Sequence, residues 1–158
     1  MVADASGFSA SLLDAYRRRA GSPAELIGRV VSDQQLRAPM VEVADARAGR
    51  GATTHVYEFS WPSPASDLGA AHSVDLPFVF DTLDTAEGRA LAGDDPPHAL
   101  AAAMNGIWAR FALGDDPEWP AWDTTRPVQV FDGATNPVEH DLHPDERIAM
   151  AAHNHKPT

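Results

Sequence analysis

The sequence predicts an α/β chain that is mostly helical and carries one or two strands. Three observations point there. Leu100, Met104, Ile107, Trp108 and Phe111 are apolar at i, i+4, i+7, i+8 and i+11, the period of an amphipathic helix. The run at residues 53–61 is β-branched and aromatic, without glycine or proline, and reads as a strand. Ser9, Ser22-Pro23-Ala24-Glu25 and Pro144 read as helix starts. The 158 residues suit one domain, by the usual roughly 100–200 residues per domain.

Taken in order, the first helix covers residues 9–19. Leu12, Leu13 and Tyr16 recur at helical spacing, Ser9 stands at the N-cap, and Gly21 is expected to end the element. Ser22-Pro23-Ala24-Glu25 opens a second helix, with a hydroxyl cap, proline in the first turn and glutamate at the capping-box position. Leu26, Ile27, Val30 and Val31 form its apolar face. A further helical segment over residues 32–47 contains Pro39, which predicts a kink or break. Residues 48–52 form a loop, and the strand at 53–61 follows.

Residues 84–97 are polar and turn-rich. Asp94-Asp95-Pro96-Pro97 starts the long helix, which runs to Leu113 with acidic residues at its positive end. On that helix Met104, Trp108 and Phe111 are expected in the core, and Asn105 and Arg110 nearer to solvent. Residues 114–126 carry Pro117, Trp119, Pro120 and Trp122 and predict an ordered, extended segment pinned by its tryptophans. Residues 127–131 make a short strand, and Asp132-Gly133 a turn. Pro144 opens a last helix to about Ala152, and residues 153–158 are expected to fray.

The net charge of −11 argues against nucleic acid, whose phosphates call for clustered Lys and Arg. The one basic run, Arg17-Arg18-Arg19, reads as the polar face of a helix. No stretch approaches the ~18 apolar residues of a membrane span. Residues 1–10 lack a charged start and a long apolar core, so no signal peptide is expected there. With no cysteine there is no disulfide framework, and the location leans to the cytoplasm.

His72 is the candidate catalytic residue. It lies in Gly69-Ala70-Ala71-His72-Ser73-Val74-Asp75-Leu76-Pro77-Phe78-Val79-Phe80, after the strand run Val56-Tyr57-Glu58-Phe59-Ser60-Trp61 and the turn Pro62-Ser63-Pro64. A histidine on a loop carried by a rigid strand can be held for proton transfer. This stretch resembles the histidine region of the type B carboxylesterases, the family of para-nitrobenzyl esterases and cholinesterases. Their pattern there is Gly-Ala-x-His-x-x-Glu-Leu-Pro-Phe-Val-Phe. Asp75 stands where glutamate is usual, and Ser73 where glycine or alanine is. The resemblance continues in one order through Trp108-Ala109-Arg110-Phe111-Ala112, Gly114-Asp115-Asp116-Pro117, Trp119-Pro120-Ala121-Trp122 and Val130-Phe131-Asp132.

The resemblance implies that the chain is the C-terminal portion of an α/β-hydrolase fold, residues 1–158 forming the last segment of a single domain. It implies a serine esterase that cleaves small-molecule carboxylic esters through an acyl-enzyme, with His72 as general base and no cofactor. It also implies partners for His72, a nucleophilic serine and an acidic residue, both earlier in chain order. The nucleophile elbow is Gly-x-Ser-x-Gly, and only Gly7-Phe8-Ser9-Ala10-Ser11 approaches it, without the last glycine. That segment reads as a helix cap. No His-Gly-Gly-Gly oxyanion segment and no matching acidic motif occur. The expectation is therefore a partial chain, inactive alone, whose partner is the upstream segment of the same protein. Asp75 is expected as an N-terminal residue of the short helix carrying Leu76 to Phe80, and Glu58 lies on the strand before it. The alternative is a non-catalytic interaction or structural protein on the same fold.

Two other groups carry weaker chemistry. His140, His143, His153 and His155 could in principle bind a divalent metal, as a tail on an unrelated helical domain. Their spacing fits no standard motif, and they read as solvent-exposed tail residues, with no metal site. Trp108, Phe111, Trp119 and Trp122 could line a sugar or lipid site, but helical spacing assigns the first two to the core.

Overall fold

A computed structural model describes residues 7–155. The signal-peptide reading rests largely on residues 1–6, which lie outside the described residues, as do residues 156–158 of the expected frayed end. In chain order the elements are α1 (Ala10–Arg17), α2 (Pro23–Ser32), a π-helical stretch (Asp33–Arg37), α3 (Ala38–Ala48), β1 (Tyr57–Phe59), a 3-10 turn (Ala65–Asp67), α4 (Leu76–Val79), α5 (Ala86–Ala92), α6 (His98–Ala112), β2 (Pro127–Phe131), β3 (Val138–His140) and α7 (Pro144–Asn154). They fall into two compact units, one within Met1–Thr54 and Asp141–Thr158, the other His55–His140.

Among the described residues, the elements of the first unit are all helical. Ser9 Oγ accepts the Leu12 amide at 3.3 Å, and Ser22 Oγ accepts the Glu25 amide at 3.1 Å, so both expected caps form. Glu25 reaches one residue further back than a capping box requires and accepts from the Gly21 amide at 2.7 Å. Gly21 does not end α1. The helix closes four residues earlier, where the Arg18 and Arg19 amides both donate to the Tyr16 carbonyl and tighten the last turn. Leu12, Leu13, Tyr16, Leu26, Val30 and Met150 form the core.

Pro39 neither breaks nor ends the helical run. A proline at this position has no N–H for the ladder, and its ring clashes with the carbonyl four residues back. The π-helical stretch before it widens the turn, and the Ala38 amide bonds Asp33 five residues back. Pro39 then sits in the first turn of α3. At the other end, α7 stays helical through Asn154, past the expected fraying point at 153.

The second unit holds a three-stranded sheet in the order β1-β2-β3. β1 runs parallel to β2, with Tyr57 opposite Gln129 and Phe59 opposite Phe131. β3 is antiparallel to β2, with Pro127 opposite His140. The sheet thus has one strand more than expected. Val138-Glu139-His140 is exposed along its length and has no buried face to impose alternation, so only its pairing to β2 makes it a strand. The run at 53–61 narrows to three residues. At its C-terminal end β1 stops where β2 does, and the amides of Ser60 and Trp61 both converge on the Phe131 carbonyl, where the chain turns away. β2 forms as expected and is buried throughout.

Phe78, Leu83, Ala92, Leu100, Ala101, Met104, Trp119 and Phe131 make this unit's core, with Tyr57, Phe59 and Trp61 packed on it. α5 occupies the segment expected to be turn-rich. Thr85 caps it, its Oγ accepting the Gly88 amide at 2.9 Å, and small residues let it lie close to the core. A Cβ on Gly88 would stand 2.1 Å from the Thr82 carbonyl oxygen. α6 starts at His98, so the acidic pair at 94–95 precedes its first turn, which holds no acidic residue. The stripe on α6 is buried only in its first half. Leu100, Ala101 and Met104 are buried, whereas Trp108 is 38% and Phe111 48% exposed. These two rings touch each other, and Trp108 meets Tyr57 edge-on at 5.7 Å, but their other faces lie beyond what the three strands cover. Trp119 and Trp122 are buried, and Trp119 joins the core as the pinning residue expected of it.

Candidate active site

The histidine region begins where β1 ends. Ser63 and Gly69 exchange backbone hydrogen bonds, both at 3.1 Å, closing a small loop. Ser63 is buried, and its hydroxyl donates to the Leu91 carbonyl at 2.6 Å while accepting the Ala65 amide at 3.1 Å. The expected Pro/Ser turn is therefore a closed loop stitched to α5. Gly69 leaves it at φ 61°, a left-handed value suited to glycine.

His72 follows in a turn and is exposed. Ser73 takes φ 68°, which is uncommon for a residue with a Cβ and turns the chain back toward the core. Val74, fully buried, anchors the turn, and the Val74 and Leu76 amides bond the carbonyls of Ala71 and Ser73. The chain enters α4 at Asp75. Its side chain does not cap the helix; Asp75 Oδ2 accepts the Tyr57 hydroxyl from β1 at 3.1 Å. Burial, and then the neighbouring Asp75 carboxylate, push the Tyr57 hydroxyl up to about 12. At the far end of α4, Asn105 Nδ2 donates to the Val79 carbonyl at 2.8 Å. Asn105, expected nearer to solvent, is half-buried and ties α6 to α4.

The loop bearing His72 is thus held at three points: by Ser63 before it, by Tyr57 three residues after it, and by Asn105 at the end of α4. The strand–turn–His order marked the loop itself. Tyr57 and Asn105 gave no signal in the sequence, because a tyrosine in a strand and an asparagine in a helix are both ordinary. Among the described residues the His72 imidazole makes no hydrogen bond, and no second residue of acid–base or nucleophilic chemistry from the sequence reading is bonded to it. Glu58 lies half-buried on β1.

The remaining histidines are dispersed. His55 Nδ1 lies 3.1 Å from the Trp119 carbonyl, and its ring meets Phe111 and Trp119 edge-on. His140, on β3, lies 3.1 Å from Thr125 Oγ1. His143 precedes α7 at φ 53°. His153 packs edge-on against Phe8, and the exposed His155 donates from Nδ1 to the Ala151 carbonyl at 2.8 Å. Among the described residues, no group of three or more His, Asp or Glu side chains is gathered for a metal ion.

A parallel β1–β2 pair flanked by helices, with a histidine loop leaving the end of β1, is part of an α/β-hydrolase fold. A solved PNB esterase structure superposes on 93% of this chain with a TM-score of 0.70, at 24% identity, and the match covers 33% of that structure. The carboxylesterase family model matches residues 3–148, and the chain belongs to the carboxylesterase family. It is 33% identical over 126 residues to phenmedipham hydrolase of Pseudarthrobacter oxydans, covering 75% of this chain and 25% of that protein. It is 31% identical over 117 residues to para-nitrobenzyl esterase of Bacillus subtilis strain 168, covering 69% of this chain and 24% of that protein. The chain therefore spans about a quarter of the length of these curated relatives, over a C-terminal stretch.

Proposed function

We propose that this chain supplies the histidine-bearing part of a serine carboxylesterase, with residues 1–158 as the C-terminal segment of one α/β-hydrolase domain. The observation that carries this reading is His72: exposed, on a turn staked to β1 and α6, in a chain of carboxylesterase family. In the reaction, a serine Oγ from a segment outside these residues bonds to the ester carbonyl carbon while its proton passes to the His72 imidazole. The imidazolium returns that proton to the departing alkoxide. Water then repeats the sequence on the acyl-enzyme, releasing the acid and regenerating serine. The substrate is a small-molecule carboxylic ester. The partner is the segment carrying the Gly-x-Ser-x-Gly elbow, the acidic residue and the oxyanion donors.

The test is release of p-nitrophenol from a p-nitrophenyl ester. The chain alone is expected to work no faster than free imidazole, since losing one oxyanion donor already costs roughly 10²–10³ in rate. Adding the complementary carboxylesterase segment should give saturable turnover, and His72→Ala should abolish it with the fold intact. Turnover that survives His72→Ala would remove the histidine from its role. Saturable turnover by the chain alone, with a serine-directed phosphonate labelling it, would overturn the partial-chain reading.

A second reading is a non-catalytic interaction protein on the same fold. It is favoured by apolar area left open on the second unit, where Phe80 is 67% and Leu113 85% exposed. Binding of the complementary segment without turnover would favour it.

A further inference from the structure

We propose that Tyr57 is a positioning residue for His72, acting through Asp75: the β1 hydroxyl clamps the C-terminal end of the histidine turn onto the sheet. This deepens the reading of His72 as general base and rests on it.

Tyr57 is placed by packing before it makes any polar contact. It lies in β1 opposite Gln129, and its ring meets Phe131 edge-on at 5.8 Å and Trp108 at 5.7 Å. A ring held on two sides has little rotational freedom, so its hydroxyl is fixed in direction. That hydroxyl donates to Asp75 Oδ2 at 3.1 Å, in half-buried surroundings where a bond to a carboxylate is stronger than in water. Asp75 is three residues from His72, and the intervening turn is compact: Val74 bonds back to Ala71, and Leu76 to Ser73. The hydroxyl of β1 and the turn are therefore linked by one hydrogen bond and three residues of tight backbone.

His72 itself is exposed and, among the described residues, its imidazole has no hydrogen bond, so its orientation depends on what the turn does. The strained Ser73, at φ 68°, lies between His72 and the clamp, and such a residue keeps its conformation only where its neighbours hold it. The carboxylate is committed to the tyrosine and not to the start of α4, since Asp75 makes no side-chain cap on that helix.

The experiment is amide hydrogen exchange on the whole chain, comparing wild type with Tyr57→Phe, Asp75→Leu and Asp75→Asn. Tyr57→Phe keeps the ring and removes only the donor. It should speed exchange at Val74 and Leu76 by roughly five- to thirtyfold, the range for losing a hydrogen bond to a charged group at a partly open site. Exchange at Val130 in the sheet should stay unchanged. Asp75→Leu should match Tyr57→Phe, and the double variant should add nothing. Asp75→Asn, whose amide oxygen still accepts from the tyrosine, should restore near-wild-type protection. Unchanged exchange at Val74 and Leu76 in Tyr57→Phe would overturn the clamp, and so would equal acceleration in turn and sheet, which marks general loosening.

These measurements need no catalysis, so they hold or fail independently of the esterase reading. With the complementary segment present, Tyr57→Phe should lower kcat severalfold with KM unchanged. An unchanged kcat alongside faster exchange would confine the clamp to structure and overturn the positioning role. Absent turnover in wild type would instead count against the esterase reading.

Discussion

Glu146 is 1% exposed, and both of its carboxylate oxygens accept from the same guanidinium nitrogen of Arg29, each at 3.0 Å. Arg19 adds a longer contact of 3.5 Å to Glu146 and bonds Asp145, which also pairs with Arg18. Two residues of the basic run at 17–19 thus join α1 to α7 instead of forming a free polar face. A buried carboxylate needs its cation, because without one it remains both charged and desolvated. Arg29→Ala is expected to destabilise the helical unit by about 3 kcal/mol. Arg29→Met combined with Glu146→Leu should recover most of that loss. Urea unfolding followed by far-ultraviolet circular dichroism measures both.

Two carboxylates in that unit should give opposite pH dependence. The Arg18 hydrogen bond holds the Asp145 carboxyl well below the usual carboxylate range, against the effect of desolvation and with help from Arg19. The unfolded chain then takes up the proton first, so this contribution is complete above about pH 4 and fades as pH falls through the lower folded value. Asp145→Asn should remove that acid-side fall. Burial pushes Asp33 up, with the Tyr16 hydrogen bond opposing it. Tyr16 donates to Asp33 at 2.8 Å. Here the folded form takes the proton first, so Asp33 costs stability above its raised value and that cost lifts on acidification. Asp33→Asn, which can still accept from Tyr16, should gain more at pH 7 than at pH 4 in thermal unfolding curves.

The two halves of α6 should respond differently. Met104 is fully buried, and Met104→Ala is expected to cost about 2–5 kcal/mol. Trp108→Ala, at a ring 38% exposed, should cost clearly less despite the larger side chain removed. Equal losses would show that the outer half of the stripe is covered after all.

Gly88→Ala should destabilise the second unit by roughly 1–3 kcal/mol, because the new methyl meets backbone, which cannot rotate away. Tryptophan fluorescence reports on this unit, since all four tryptophans lie between residues 61 and 122.

His72→Ala in the isolated chain should shift stability by no more than about 0.5 kcal/mol, as expected for an exposed side chain with no hydrogen bond among the described residues. A larger loss would mean that the imidazole is part of the fold, which would weaken its assignment as a free base.

Features set within one turn of a residue were legible in the sequence. Ser9 and Ser22 cap where they were expected to, because a hydroxyl and the amide three residues on are always within reach in that geometry. Residues 127–131 form a strand and residues 76–79 a helix for similarly local reasons, and the ordered blocks around His72 carried the family and its fold. Features that depend on distant partners arise only once the chain has packed. β3 exists only because β2 offers its edge, and β1 stops where β2 stops. Trp108 and Phe111 continue a perfect apolar stripe, but periodicity says which residues share a face, not how far the opposing layer reaches. The tie from Tyr57 to Asp75 spans 18 positions and that from Arg29 to Glu146 spans 117, and no local rule selects one acceptor among many at such separations. Packing makes that selection, by fixing which side chains remain within hydrogen-bond reach once the apolar surfaces have closed.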